Sequence, residues 1–237
     1  MAGMKELEEL LSEANARTRA LAESLPKVVD ARDTSPKSKI PYKVLCYREG
    51  MIWRVEELSR SACACFERGD IVAGISLARS VVECAAAIWF LHGLLKRKIK
   101  HGVDENFDAK VMSLLMGHRG VVDGMPKAIH VNDFLDEADK AFPGFMEVYD
   151  QMSEYAHPNW AGTQAVYSKI DRENLQTHFG RGFKENHHIH AVRGLHGLTG
   201  ALLLFEWAYN RIADVMPDFI KACETALERR GGAKSAS

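Results

Sequence analysis

GDIVAGISLARSVVECAAAIWFLHGLLKRKIKHG, Gly69 to Gly102, holds no proline and is apolar on every side of a helical wheel. A helix of that kind must lie at the centre of a packed structure. Its interior carries one charged pair, Arg79 and Glu83, four residues apart and so on one face. Those two charges argue against a membrane span, as Glu206 and short length do for LTGALLLFEWAY, Leu198 to Tyr209. The helix is expected from Ile71 to about Lys100, with Asp70 as its N-cap. Upstream, Tyr42 to Glu67 runs without a breaker except Gly50. Two long helices joined by so short a turn lie antiparallel.

Working outward, Leu7, Leu10, Leu11, Ala14 and Leu21 line one face of an N-terminal helix that Pro26 stops. DARDTSPKSKIP, with two prolines, reads as a linker. Beyond the central pair come a helix over Phe107–His118, a short one capped by Asn132 or Asp133, and one begun by Pro143 and ended before Pro158. TQAVYSKIDRENLQTHFG has β-branched and aromatic residues on either side of KIDREN, the pattern of a small hairpin packed as an insertion. From Asn186 to about Arg230 one long helix is expected, kinked near Pro217. Its Gly194, Gly197 and Gly200 recur at helical spacing, which implies close backbone approach. The fold class is therefore all-α, a multi-helix up-and-down bundle with a β-hairpin insertion around 162–180. Its parts are an N-terminal helix (1–26), a linker (27–41), the bundle (42–230) and a disordered tail (231–237).

The chain has 237 residues, 46% hydrophobic and 27% charged, with a formal charge of −1. That composition is ordinary for a globular protein and gives no global attraction to nucleic acid or membrane. Five cysteines without a Cys-x-x-Cys read as reduced thiols, and the charged N-terminus is no secretory signal. A cytoplasmic protein without cofactor is expected. ENHHIHAVRGLH offers His187 and His190 on one face with Glu185 and His188 nearby, but lacks spaced partners, so no metal site is expected. Phosphate-loop, dinucleotide, Gly-x-Ser-x-Gly and His-Glu-x-x-His motifs are absent.

Two constellations remain. Arg79 and Glu83 form either a structural ion pair or an anchor for a group from another helix. In YDQMSEYAHPNW, Tyr149 to Trp160, the residues Phe145, Tyr149, Met152 and Ala156 make an apolar stripe with Ser153 and His157 at its edge. Pro158 ends that helix, so His157 and Asn159 stand beside its terminal carbonyls. Together Arg79, Glu83, Ser153, His157 and Asn159 are expected to organise a polar centre, with Glu83 and His157 in hydrogen-bonding reach.

On the Arg-x-x-x-Glu of the central helix and the Ser-Glu-Tyr-x-His-Pro helix end, the chain resembles the HEPN-like helical superfamily, in its uncharacterised and abortive-infection-type bacterial members. The resemblance covers roughly Tyr42 to Tyr209. It implies a helical bundle in a phage-defence or toxin–antitoxin setting, acting through protein contact, as a homodimer or with a protein partner. Active HEPN proteins are metal-independent ribonucleases with Arg and His four to six residues apart. No arginine precedes His157 in that window, which holds Asp150, Gln151 and Met152. The spacing recurs at Arg172–His178 in the hairpin and at Arg181–His187. An endoribonuclease using Arg181 and His187 on RNA is thus the alternative, with arginine stabilising transition-state charge and histidine moving the 2′-hydroxyl proton. The glycine face of the last helix is the surface expected for the homodimer.

Overall fold

A computed structural model describes residues 2–120 and 122–234, with side chains for 5–120, 122–183 and 187–230. The elements are α1 (Ala2–Glu23), α2 (Ala31–Thr34), α3 (Ile40–Arg68), α4 (Ile71–His101), α5 (Phe107–Leu115), α6 (Val131–Ala141), α7 (Phe145–Ala156), α8 (Gln164–Tyr167), β1 (Ser168–Asp171), β2 (Gln176–Phe179) and α9 (Lys184–Lys234). The architecture is an all-α bundle carrying one antiparallel hairpin. α4 is its axis. It packs most extensively against α9, then α3, and also against α6 and α7, while α1 covers α9 and α3. Ile75, Ile88, Leu91 and Leu95 of α4 are fully buried, as are Leu195, Leu198, Phe205 and Phe219 of α9. By length and composition α4 could cross a membrane, yet 61% of its apolar window is buried inside the protein.

The α3–α4 reversal depends on Gly69, at φ +77, where a side chain would be strained. Asp70 N–H then reaches back to the Cys65 carbonyl at 2.8 Å. The Asp70 carboxylate does not cap α4, contrary to expectation. With ψ at 64° it points away from the helix, toward Arg68 Nε at 3.0 Å and Arg181 at 2.9 Å. The cap of α6 is likewise neither Asn132 nor Asp133. His130, one residue before the first helical turn and extended, accepts from Asn132 N–H through Nδ1 at 3.2 Å. Pro143 stands before α7 rather than in its first turn; Gly144, at φ +95, is the N-cap. The α7 start is held from α6, since Asp139 accepts from the N–H groups of Gly144 and Met146.

Pro217 lies inside α9. That helix continues to Lys234, so residues 231–234, read as a disordered tail, are helical, because glycine adopts helical φ and ψ without steric hindrance. Residues 235–237 lie outside the described ones. The linker contains one helical turn, α2, capped by Asp30. Close approach explains two of the three glycines that recur at helical spacing in α9. A Cβ on Gly194 would lie 2.7 Å from both Ile75 and Phe66, and one on Gly197 2.6 Å from Met152 Sδ. Gly200 has nothing within 4 Å. Packing within the chain therefore accounts for Gly194 and Gly197.

The hairpin departs from expectation in its packing. Its register pairs Ser168 with Phe179, Lys169 with His178, Ile170 with Thr177 and Asp171 with Gln176. Alternation puts Ile170, Thr177 and Phe179 on one face and Lys169, Asp171, Gln176 and His178 on the other. The apolar face is not packed on the bundle: Ile170 and Phe179 are each 68% exposed, and Leu175, in the turn at φ +53, is 92% exposed.

Candidate functional site

The polar centre is built by two helices, each contributing residues one turn apart: Arg79 and Glu83 from α4, Tyr149 and Ser153 from α7. Arg79 Nε donates to Ser153 Oγ at 2.8 Å, and a second guanidinium nitrogen donates to the Tyr149 hydroxyl. Tyr149 in turn donates to Glu83 Oε1 at 2.9 Å, and Arg79 pairs with Glu83 directly at 3.2 Å. The guanidinium also stands over the Tyr149 ring, 4.6 Å from its centroid. The ring of contacts is closed, with each charge answered from the facing helix. Burial, followed by the adjacent Glu83 charge, raises the Tyr149 pKa, so the phenol keeps its proton and serves as a bridge. Chemically this is a clamp of α7 onto α4.

His157 is outside it. As the C-cap of α7 it is extended (φ −90, ψ 150), its N–H bonds the Ser153 carbonyl at 3.2 Å, and its side chain is exposed. Pro158 favours that extended conformation by excluding the helical one. The expected Glu83–His157 contact is not made; Tyr149 holds the carboxylate instead. Asn159 is also apart, ordering the following turn. Its Oδ1 accepts from Gly162 N–H at 3.3 Å, its amide donates to Glu154, and its carbonyl accepts from Thr163. Gly162 is required there, since a Cβ would lie 2.5 Å from the His157 carbonyl oxygen.

Arg181 and His187 meet the same small region, the α3–α4 turn. Arg181 pairs with Asp70 while remaining 79% exposed. The His187 ring covers Gly69, where an added Cβ would lie 2.9 Å from Nε2. His190 leaves the histidine cluster and takes a short hydrogen bond, 2.6 Å, with the Tyr155 hydroxyl. Burial lowers its pKa. Among the described residues no group of three His, Cys, Asp or Glu is arranged to hold a metal, and the Glu185 side chain lies outside them.

Sequence reasoning missed three features. The first is the Tyr149 phenol, whose i, i+4 spacing with Ser153 was the available signal. The second is a cluster between α3 and α9, where Arg48 pairs with Glu49, stacks 3.5 Å from the Tyr209 ring centroid and donates to the Tyr209 carbonyl at 3.0 Å. Tyr209 donates its hydroxyl to Glu49. The third is an open apolar groove between α7 and α9, floored by α4. The chain matches no family model, no curated protein and no solved structure.

Proposed function

We propose that the chain is a non-catalytic, HEPN-like helical bundle that works in the cytoplasm through protein contact, in the defence or toxin–antitoxin setting the resemblance implies. The observation that carries this is the hairpin, an amphipathic element whose apolar side is bare. A two-stranded hairpin alone is marginal in water, and open edges are templates for further pairing. The occupant is the hairpin of a second copy. Two such arms packed face to face about a twofold axis cover Ile170, Leu175 and Phe179 mutually. Burying each of those side chains is worth about 1.5–3 kcal/mol. The closed polar centre supports the non-catalytic part of this reading, because Arg79 and Glu83 are engaged with α7. Light scattering at tens of micromolar (about the range in which weak dimers persist) should give twice the chain mass. Ile170→Asp with Phe179→Asp should give a monomer of unchanged helicity. A monomeric wild type, or a dimeric double variant, removes the proposal.

A second reading is kept alive by the convergence of Arg181 and His187 on one turn. As a metal-independent endoribonuclease, the chain would cleave total RNA in EDTA, and Arg181→Ala and His187→Ala would each abolish cleavage without loss of fold. Intact RNA, or cleavage stopped by EDTA, removes it. The Asp70 carboxylate counts against it, since it already neutralises Arg181.

A further inference from the structure

α7 and α9 both pack on α4 but splay from one another, and between them lies a groove of about 1170 Å³. That is somewhat above the usual range of small-molecule sites, about 300–1,000 Å³. Its α9 wall recurs from His190 to Trp207, about 25 Å at 1.5 Å per residue. Polarity changes along it. Near Tyr155 the lining includes His190, Arg193, His196 and Glu154; toward the other end it is Leu203, Trp89, Phe142 and Trp207. Phe142, Val148, Leu203 and Trp207 are 42–45% exposed there, a large apolar surface left open to water.

The charges at the polar end are unequal in availability. Glu154 is held by the Asn159 amide, and His196 faces Glu6 at 3.5 Å. Arg193 is exposed and, among the described residues, has no hydrogen-bond or ion-pair partner. Of the charged groups lining that end, Arg193 is thus the one whose hydrogen-bonding groups are left for a ligand, and a guanidinium takes an anion. From Arg193 to Trp207 is about 21 Å. One acyl chain spans half of a bilayer core of about 30 Å, so about 15 Å. The groove accommodates that chain with room for a head at Arg193.

We propose that this groove binds a single-chain amphiphile with an anionic head, its charge on Arg193 and its chain against Trp89, Phe142 and Trp207. The site is independent of the hairpin and of the contact reading above.

Trp89, Trp160 and Trp207 line the groove and Trp53 does not, so tryptophan fluorescence of Trp53→Phe protein reports occupancy. Palmitate, below its micellar range, should give a saturable change. Hexadecyltrimethylammonium should bind at least tenfold more weakly. Arg193→Glu should weaken palmitate at least tenfold while leaving hexadecanol unaffected. Gly200→Leu adds a side chain where nothing lies within 4 Å, so it should fill the groove without loss of thermal stability and abolish binding of both. The proposal is overturned by the absence of a saturable palmitate signal, by equal binding of the cationic probe, by an Arg193→Glu variant that binds palmitate normally, or by a Gly200→Leu variant that still binds, which would mean adventitious surfactant binding only. It is also overturned if Gly200→Leu changes the particle mass, because the groove would then be a protein contact. Hairpin variants should leave palmitate binding unchanged, whichever oligomeric state they adopt.

Discussion

Tyr149→Phe deletes one oxygen atom from the α4–α7 clamp and keeps the ring. That oxygen receives a hydrogen bond from Arg79 and donates one to Glu83. Hydrogen bonds to charged groups contribute about 1.5–3 kcal/mol each. In a sealed site the loss would approach the sum. Here the Arg79 and Glu83 side chains keep 26% and 29% of their exposure, and their direct 3.2 Å contact survives, so water and the remaining pair recover part of it. A net loss of about 1–2 kcal/mol follows. For a chain of this length that lowers Tm by about 2–8 °C. Urea unfolding followed by circular dichroism gives the free energy, and a double-mutant cycle with Glu83→Gln gives the coupling. The two substitutions should be non-additive by about 1 kcal/mol or more. His157→Ala, by contrast, should fall within about 0.5 kcal/mol and add simply to Glu83→Gln. Additive losses for Tyr149 and Glu83, or a His157→Ala cost above about 2 kcal/mol, would refute the reasoning.

Opposite signs are expected for one substitution at two glycines. Gly194→Ala should destabilise by about 1–3 kcal/mol because its Cβ meets Ile75 and Phe66 at 2.7 Å, while Gly200→Ala should stabilise by about 0.5–1 kcal/mol, both read from urea midpoints. Stability should fall at alkaline pH. Tyr149 and Tyr209 have raised pKa values, chiefly from burial, so the unfolded chain loses their protons first, near 10, and the contribution present below that value disappears as pH climbs through the folded-state values. Tyr209→Phe should flatten that limb of a pH-dependent melting series. On the acid side His92 and His190 are lowered by burial, so the stability they contribute is present above 6.5 and lost as pH falls through their lower folded values. His92→Gln should make the acid limb shallower.

The helices were readable because their cause is local. An apolar run such as Ile71–Leu95 with no proline has one solution, and Gly69 and Pro158 mark reversals by covalent geometry. The clamp was half legible. Arg79, Glu83 and Ser153 do meet, but Tyr149 sits on an apolar stripe, and periodicity treats a tyrosine as a hydrophobe although its hydroxyl decides what the ring faces. His157 drew attention through its dense polar neighbours. Pro158 ends the helix at that residue, and the side chain is left exposed beyond the last turn, outside the α4–α7 contact. His130 took the cap of α6 from better capping residues because it, and not they, occupies the position before the first turn. β-branched and aromatic residues on either side of KIDREN marked a hairpin, yet not whether the bundle would cover it. The groove was invisible for a similar reason. It exists because α7 and α9 diverge on α4, a long-range outcome that neither helix encodes alone.

The hairpin contact is tested most directly by hydrogen exchange at residues 168–179 across a dilution series. In a lone chain two strands with bare edges exchange quickly, as weakly packed elements do. If the arms of two copies pair, protection there should rise with protein concentration, together with the doubled mass, and vanish in the Ile170→Asp, Phe179→Asp variant. Exchange at 168–179 that is independent of concentration, at the monomer mass, would contradict it.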